Sequence, residues 1–169
     1  MTGSVLHIHT SKGGIPKLPI AEATVTPLGL EGDVHAHPEI HGGSRQALLL
    51  ITAEGIEELT RLGFALYAGA LGENITTVGL DRRGLRLGQQ WSIGTDVIVE
   101  LTKIRVPCKT IHVYSPEIQT AIYDAAVKEG DPSSARWGLS GFYARVIRPG
   151  AIRCGDAITL LDQFTNPAV

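Results

Sequence analysis

The fold is indicated by the stretch VIVELTKIRVPCKTIH, which runs from residue 97 to residue 112. Apolar and polar residues alternate in its first half, so Val97, Val99 and Leu101 are predicted to lie on one face of a β-strand. Pro107 has no backbone N–H to donate to a neighbouring strand, and the strand is therefore expected to end there. The stretch thus predicts one long strand followed directly by a loop.

Cys108 opens that loop and is the candidate reactive residue. It lies between Arg105 and Lys109, and positive charge near a thiol lowers its pKa and favours the thiolate. A thiolate at a strand end could act as a nucleophile, carry a persulfide sulfur or bind a soft metal. A free cysteine is also commonly a small buried hydrophobic residue, and this alternative stays open. Cys154, beside the Gly155-Asp156 turn, is interpreted as structural.

The composition places limits on the class of protein. A chain of 169 residues predicts a single domain over residues 1–169. The net charge of −2 argues against broad nucleic-acid binding, and two cysteines are too few for a disulfide framework. We expect no signal peptide and no membrane helix, because no apolar run approaches about 20 residues. A cytoplasmic location is the expectation that follows.

Glycine and proline punctuation predicts a mainly β fold. The 20 glycines and 9 prolines recur between short runs rich in Val, Ile, Leu and Thr, which is typical of a β-sandwich or β-barrel. Besides the long strand, we predict strands at residues 5–9, 23–26, 47–51, 75–77, 91–93, 142–147 and 157–161. In the first of these, Leu6 and Ile8 are expected on one face and Val5, His7 and His9 on the other.

Two helices are predicted among the strands. Thr52 has the character of an N-cap, and its helix is expected to reach about Leu62 before Gly63 ends it. Ser115-Pro116-Glu117 predicts the start of a second helix. The buried side chains expected for the two helices are Ile56, Leu59 and Leu62 in the first, and Ile118, Ala121, Ile122 and Ala125 in the second.

The segment from residue 32 to residue 46 is a long irregular loop, and such loops inside compact domains are usually functional or disordered. Its histidines at 35, 37 and 41 allow a zinc site, although no catalytic zinc spacing is present. Arg45, after Gly42-Gly43, favours anion binding instead. The loop, Asn74 and Cys108 are expected to meet at one rim of the barrel. Glu73 could instead belong to a plain turn. Arg145 and Lys103 could simply lie on the solvent-facing sides of their strands, and these alternatives stay open.

Six motifs occur in a fixed order. They are Gly32-Asp33-x-His35, His41-Gly42-Gly43-x-Arg45-Gln46-Ala47, Gly69-x-Leu71-Gly72-Glu73-Asn74-Ile75, Arg105-x-Pro107-Cys108, Gly141-x-Tyr143-x-Arg145-Val146 and Gly150-x-Ile152-x-x-Gly155-Asp156. The ordered set, which spans about residues 29–161, resembles the MOSC domain, named for the C-terminal part of eukaryotic molybdenum-cofactor sulfurases. The resemblance implies a mainly β, MOSC-type barrel with a few peripheral helices, of the stand-alone bacterial type.

The resemblance also implies a function. Cys108 would be the family's functional cysteine, either a ligand to the molybdenum of the pterin cofactor or a persulfide carrier. A molybdopterin site needs cations for the phosphate and polar groups for the heterocycle. The candidates are Arg45, Lys109 and Arg145 for the phosphate, and His35, Glu73 and Asn74 for the heterocycle. Pyridoxal phosphate is not expected in this domain alone.

Known relatives in the resembled family include subunits that reduce N-hydroxylated compounds. We expect neither the N-terminal β-barrel extension of the larger mitochondrial-type proteins nor a C-terminal electron-transfer or helical module. A reductase activity would therefore need a separate electron donor, and a sulfur carrier a separate sulfur donor. Two other functions stay open, a zinc-dependent hydrolase using His35, His37 and His41, and a non-catalytic barrel that binds a small molecule or a protein.

Overall fold

The computed structural model describes residues 1–34 and 42–161. The strands are β1 (Thr2–Thr10), β2 (Leu18–Ile20), β3 (Glu22–Thr26), β4 (Gly29–Leu30), β5 (Leu48–Thr52), β6 (Ile75–Val78), β7 (Gln90–Ile93), β8 (Val97–Ile104), β9 (Phe142–Arg148), β10 (Gly150–Arg153) and β11 (Ala157–Leu160). The α-helices are α1 (Ala53–Arg61), α2 (Ile118–Ile122) and α3 (Ala125–Lys128), and short 3₁₀ helices cover Ser44–Gln46, Arg82–Gly84 and Lys109–Val113.

Seven of these strands close into a barrel, as the sequence predicts. Their order is β11-β7-β8-β9-β5-β6-β1, and β1 pairs back onto β11 to complete the ring. Neighbouring barrel strands are antiparallel except β5 and β6, which are parallel. A parallel pair needs a crossover connection, and α1 provides it. β2 extends the sheet beside β1, while β10, β3 and β4 form a separate small sheet.

The predicted long strand is confirmed as β8, and its side chains alternate between the two faces as predicted. Val97, Val99 and Leu101 are buried in the barrel interior, where they join the main hydrophobic core. The strand ends at Ile104, three residues before Pro107. The chain then leaves the barrel wall and enters the loop that carries Cys108.

The predicted faces of β1 are wrong, because a β-bulge interrupts the alternation. In the pairing with β6, Val5 lies opposite Thr77 and His7 opposite Thr76, so Leu6 is the extra residue. Leu6 is 39% exposed, whereas Ile8 is completely buried and shares the core with Val5. A bulge depends on how a strand pairs with its neighbour, here β6. The alternation of apolar and polar residues in β1 alone therefore does not reveal it.

The first predicted helix is confirmed except at its last buried position. The Thr52 hydroxyl accepts a hydrogen bond from the backbone N–H of Gly55, which is the predicted N-cap. Ile56 and Leu59 are buried, but Leu62 is 66% exposed. Leu62 is the C-cap residue, outside the regular helix, so its side chain no longer follows the buried stripe.

The second predicted helix is broken in two. Tyr123 is extended, with φ −151° and ψ 136°, and it ends α2 after one turn. Asp124 then caps α3 by accepting a hydrogen bond from the Val127 N–H. Ile118 and Ile122 are buried as predicted, but Ala125 is exposed because it starts a new helix. In the described ranges, no helix has the length and apolar character needed to cross a bilayer.

The bulge predicts different costs for two neighbouring apolar residues. Ile8→Ala should lower the free energy of unfolding by about 2–5 kcal/mol, because it opens a cavity in the barrel core. Leu6→Ala should change it by less than about 1 kcal/mol, since the side chain is partly in solvent. Urea denaturation followed by circular dichroism measures both. Equal costs would contradict the bulge and restore simple alternation.

Candidate functional site

One pocket lies at the rim of the barrel where the loop after β8 meets other segments. It encloses about 150 Å³ and is partly open to solvent. It is lined by Ser11, Gly14, Ile15, Lys17, Val34, Gln46, Leu49, Leu71, Gly72, Asn74, Arg105, Cys108, Thr110 and Tyr143. Segments far apart in sequence therefore meet here.

Cys108 contributes the pocket's thiol. It is half-buried and precedes the 3₁₀ helix Lys109–Val113. Burial raises the pKa of the thiol, but hydrogen bonds with the side chain and backbone of Thr110, and the positive charge of Arg105, outweigh burial. The pKa therefore lies below the usual value for cysteine, which favours the thiolate. Lys109, the other predicted cation, is exposed and does not line the pocket.

Arg105 lies at the inner wall of the pocket. Its backbone is fixed, since its N–H donates to the Gly141 carbonyl at 2.9 Å and its carbonyl accepts from the Ser140 hydroxyl at 2.7 Å. The side chain is buried, and within the described residues its Nη1 has no hydrogen-bond partner. The guanidinium also acts on Tyr143, with which it shares a hydrogen bond. Burial raises the pKa of the Tyr143 phenol, and the charge and hydrogen bond of Arg105 offset only part of that rise.

A buried ion pair forms another wall. The Lys17 ammonium pairs with the Asp33 carboxylate, and both side chains are almost completely removed from solvent. Asp33 also accepts from the Ser11 N–H at 2.8 Å and from the Asn74 amide at 2.8 Å. Asn74 in turn accepts a hydrogen bond from the Leu49 N–H at 3.1 Å. The network connects β1, β5 and the turn before β6 across the pocket.

Glu73 does not line the pocket, although the sequence predicts it as a cofactor-binding residue. Its carboxylate is completely buried and accepts hydrogen bonds from the Gly69 N–H at 2.6 Å and the Thr76 hydroxyl at 3.1 Å. Burial raises the pKa of this carboxyl. The residue instead holds the glycine turn that presents Gly72 and Asn74 to the pocket.

Arg45 and Arg145 are also outside the pocket lining. Arg145 forms a bidentate ion pair with Glu100, with N–O distances of 3.0 and 2.9 Å. The hydrogen bond from Arg145 is the main reason that the pKa of Glu100 is lowered. Arg45 is exposed, and its backbone carbonyl accepts from the Thr102 hydroxyl at 2.6 Å. Its neighbour Gln46 is the residue of this segment that reaches the pocket.

The three histidines of the predicted zinc site, His35, His37 and His41, lie outside the described residues. The zinc alternative and the predicted contact of His35 with a heterocycle therefore remain predictions. Within residues 1–34 and 42–161, no group of three or more His, Cys, Asp or Glu side chains is arranged to hold a metal ion.

Sequence reasoning placed Cys108 and Asn74 together correctly but missed several pocket residues. Asp33 belongs to the motif Gly32-Asp33-x-His35, but its pairing with Lys17 could not be predicted, because it depends on segments that the folded barrel brings together. Thr110, two residues after Cys108, could have been noted as a hydrogen-bonding neighbour of the thiol. From the sequence, Arg105 is recognisable only as a cation close to that thiol. The missing hydrogen-bond partner of its Nη1 is visible only in the folded structure.

Comparisons with known proteins agree with the fold. The family described as "MOSC domain" matches residues 37–159. Among curated proteins, Protein YiiM of Escherichia coli strain K12 is 27% identical over 152 residues, covering 88% of this chain and 63% of that protein. A protein named "Reductase" from Gibberella moniliformis is 28% identical over 139 residues, covering 80% of this chain. This chain thus spans less than two thirds of the first relative and 23% of the second.

A solved structure gives the same result. The crystal structure of YiiM from Geobacillus stearothermophilus superimposes with a TM-score of 0.71 and 25% identity. The match covers 97% of this chain and 77% of that one. The barrel described above is therefore the fold of this structure as well.

The contacts of Cys108 predict how its acidity responds to mutation. Thr110→Val removes the side-chain hydrogen bond that favours the thiolate, so the pKa of Cys108 should rise toward the usual cysteine value. The rate of alkylation by iodoacetamide, followed across pH by mass spectrometry, gives this pKa. Exposed Cys154 in the same protein is the reference thiol and should be unaffected. An unchanged profile for Cys108 would show that Thr110 does not stabilise the thiolate.

The ion pair at the pocket wall predicts a stability effect. Asp33→Ala leaves the Lys17 ammonium buried without its partner, and should lower the free energy of unfolding by about 3–5 kcal/mol. The matched control is Glu57→Ala, which breaks the exposed ion pair with Arg61 and should cost less than about 1 kcal/mol. Chemical denaturation of both variants checks the difference. Similar small losses would mean that water replaces Asp33 at the pocket.

Proposed function

The chain belongs to the MOSC domain family, and on that premise we propose that its rim pocket binds the molybdenum cofactor. In this proposal Cys108 either ligates the molybdenum or carries a persulfide sulfur. The family as a whole is associated with this cofactor. The observation that carries the proposal is a half-buried thiol of lowered pKa that faces the pocket.

The donor groups of the pocket fit such a cofactor. Molybdenum in a dithiolene environment takes a soft sulfur ligand, and Cys108 is the cysteine that lines the pocket. Arg105 has a buried, unused N–H group, which suits an oxygen-rich or negatively charged ligand. Gly72, which lines the pocket, has φ +84°, and a Cβ there would meet the Ile15 side chain at 2.8 Å, so glycine is required at this position.

The polar side chains around the opening have the chemistry to orient a heterocycle. Gln46 offers an amide and Ser11 a hydroxyl, and both line the pocket, whereas the Lys17 ammonium there is already paired with Asp33. Asn74 is already bonded to Asp33 and Leu49, so it contributes mainly by keeping this wall in place. The proposal therefore uses Asn74 from the predicted set and omits Glu73, Lys109 and Arg145. Arg45 and His35 lie on opposite sides of Gly42-Gly43 in sequence, and their contacts with the cofactor stay predictions.

The bound cofactor would supply two-electron redox chemistry, while the protein supplies binding, orientation and electrostatics. Arg105 would keep the sulfur of Cys108 in the anionic form that binds metal or carries sulfur. Tyr143, whose phenol stays protonated because its pKa is raised, holds a proton beside the thiol. These are the roles that the residues of this chain would have.

We propose reduction of N-hydroxylated compounds as the activity of the loaded protein, with electrons from a separate donor. A reducing activity is supported by the similarity to the Gibberella moniliformis protein named "Reductase". That protein extends far beyond the region that it shares with this chain. The alternative within the same site is sulfur transfer through a persulfide on Cys108. Both use the same thiol, and they differ in whether molybdenum or only sulfur is carried.

Replacing the thiol tests the proposal. Cys108→Ser, expressed in a host that makes the cofactor, should purify with molybdenum and pterin reduced at least about tenfold relative to wild type, because the soft ligand is lost. Molybdenum is measured by mass spectrometry and the pterin by fluorescence after oxidation. Cyanolysis, which releases thiocyanate from a persulfide, tests the sulfur-carrier alternative in the same preparations.

The control is Cys154→Ser, which removes an exposed thiol on the small sheet outside the pocket. It should retain cofactor or persulfide at the wild-type level. Wild-type protein that purifies with neither molybdenum nor releasable sulfur would argue against the proposed function. Retention of both by Cys108→Ser would argue against the role of this thiol.

A further inference from the structure

The guanidinium of Arg105 has an unusual environment. The residue is only 5% exposed, and its Nη1 makes no hydrogen bond within the described part of the chain. The ion pairs of the described residues join the other buried cations, Lys17 and Arg82, to Asp33 and Glu58, but none of them includes Arg105. Arginine is almost never buried without a partner, because removing a charge from water is costly.

The groups around Arg105 do not neutralise it. Glu73 is near enough to feel its charge, but this carboxylate is bonded to Gly69 and Thr76, and burial raises its pKa. Tyr143 shares a hydrogen bond with the guanidinium, but its phenol is neutral and does not balance the positive charge. Cys108 supplies a partial negative charge only to the extent that its thiol ionises. The Arg105 side chain lines the pocket, and its buried Nη1 keeps a hydrogen-bonding capacity that no group in the described part of the chain uses.

We propose that Arg105 forms an anion subsite beside Cys108, which binds a compact oxyanion, a carboxylate or phosphate group, of the molecule held in the pocket. The planar guanidinium suits these groups, and a low-dielectric wall strengthens the interaction. The inference rests on the proposed function in that the same pocket and thiol are used. It assigns the anion-binding role to a residue different from Arg45, Lys109 and Arg145.

The neighbouring lysines, Lys17 and Lys109, are less suited than Arg105 to bind an anion beside Cys108. Lys17 lines the pocket, but its ammonium group is already paired with Asp33. Lys109 is next to Cys108 in sequence, but it is exposed and lies outside the lining. The overall charge of −2 would not by itself draw an anion to this rim. A preference for anions at Cys108 would therefore have to come from Arg105.

Two alkylating reagents of nearly equal size test the subsite in the protein without cofactor. Iodoacetate carries a carboxylate, whereas iodoacetamide is neutral, and both modify the same thiolate. At Cys108 the ratio of the iodoacetate rate to the iodoacetamide rate should exceed the same ratio at Cys154 by about tenfold or more, which is the effect of one charge-assisted hydrogen bond. Inorganic phosphate should reduce this preference by competing for Arg105.

Substitutions separate the subsite from general electrostatics. Arg105→Gln should bring the ratio at Cys108 down to that at Cys154, while Arg105→Lys should retain part of the preference. Lys109→Gln makes the same change in charge beside the thiol and should leave the ratio unchanged. The subsite is refuted by an equal ratio at Cys108 and Cys154 in wild type, or by equal effects of Arg105→Gln and Lys109→Gln.

A measurement without the thiol keeps this test independent of the proposed function. Inorganic phosphate should raise the melting temperature of Cys108→Ser as much as that of wild type, at ionic strength matched with chloride. The shift should vanish in Arg105→Gln. Absence of a phosphate-dependent shift in wild type, together with no preference for iodoacetate, would overturn the anion subsite. Loss of molybdenum retention with the phosphate shift intact would instead count against the proposed function alone.

Discussion

The antiparallel pairing of β1 with β11 is the constraint on which the rest of the structure depends. Thr2, Gly3 and Ser4 lie opposite Thr159, Ile158 and Ala157, and this contact turns an open sheet into a closed barrel. At Gly3 a Cβ would come within 2.5 Å of the Val78 carbonyl, so closure also requires glycine where β1 crosses β6. Closure pairs the two end strands of the barrel with each other and constrains the tilt of the barrel strands.

That closure also explains why the pocket exists. Closure brings to one rim the ends of β1 and β8 and the turn before β6. The backbone in the loops at this rim is no longer in the regular hydrogen bonding of the strands. Polar groups at the rim must then satisfy one another, as Lys17, Asp33 and Asn74 do. Arg105 is the exception, since one of its donors is left open. One wall of the pocket thus consists of polar groups bonded to one another, and another carries the Cys108 thiol and the Arg105 guanidinium.

The sequence predicts features that depend on neighbouring residues. The alternation of β8, the Thr52 cap and the proline before Cys108 are local patterns, and each corresponds to an observed element. The bulge at Leu6 is non-local, because it depends on the register with β6. The break at Tyr123 is local, since the extended residue is followed at once by a competing cap at Asp124. The Lys17–Asp33 pair joins segments that only the folded barrel brings together.

The same closure has a consequence for how the chain acquires its structure. β1 is synthesised before its barrel partner β11, and all the other strands lie between them in sequence, so this contact has a very large sequence separation. Folds dominated by such contacts fold slowly, because the entropy of loop closure precedes the gain from pairing. Until β11 arrives, one edge of β1 has unpaired backbone groups, and that edge is the surface most exposed to wrong association during synthesis.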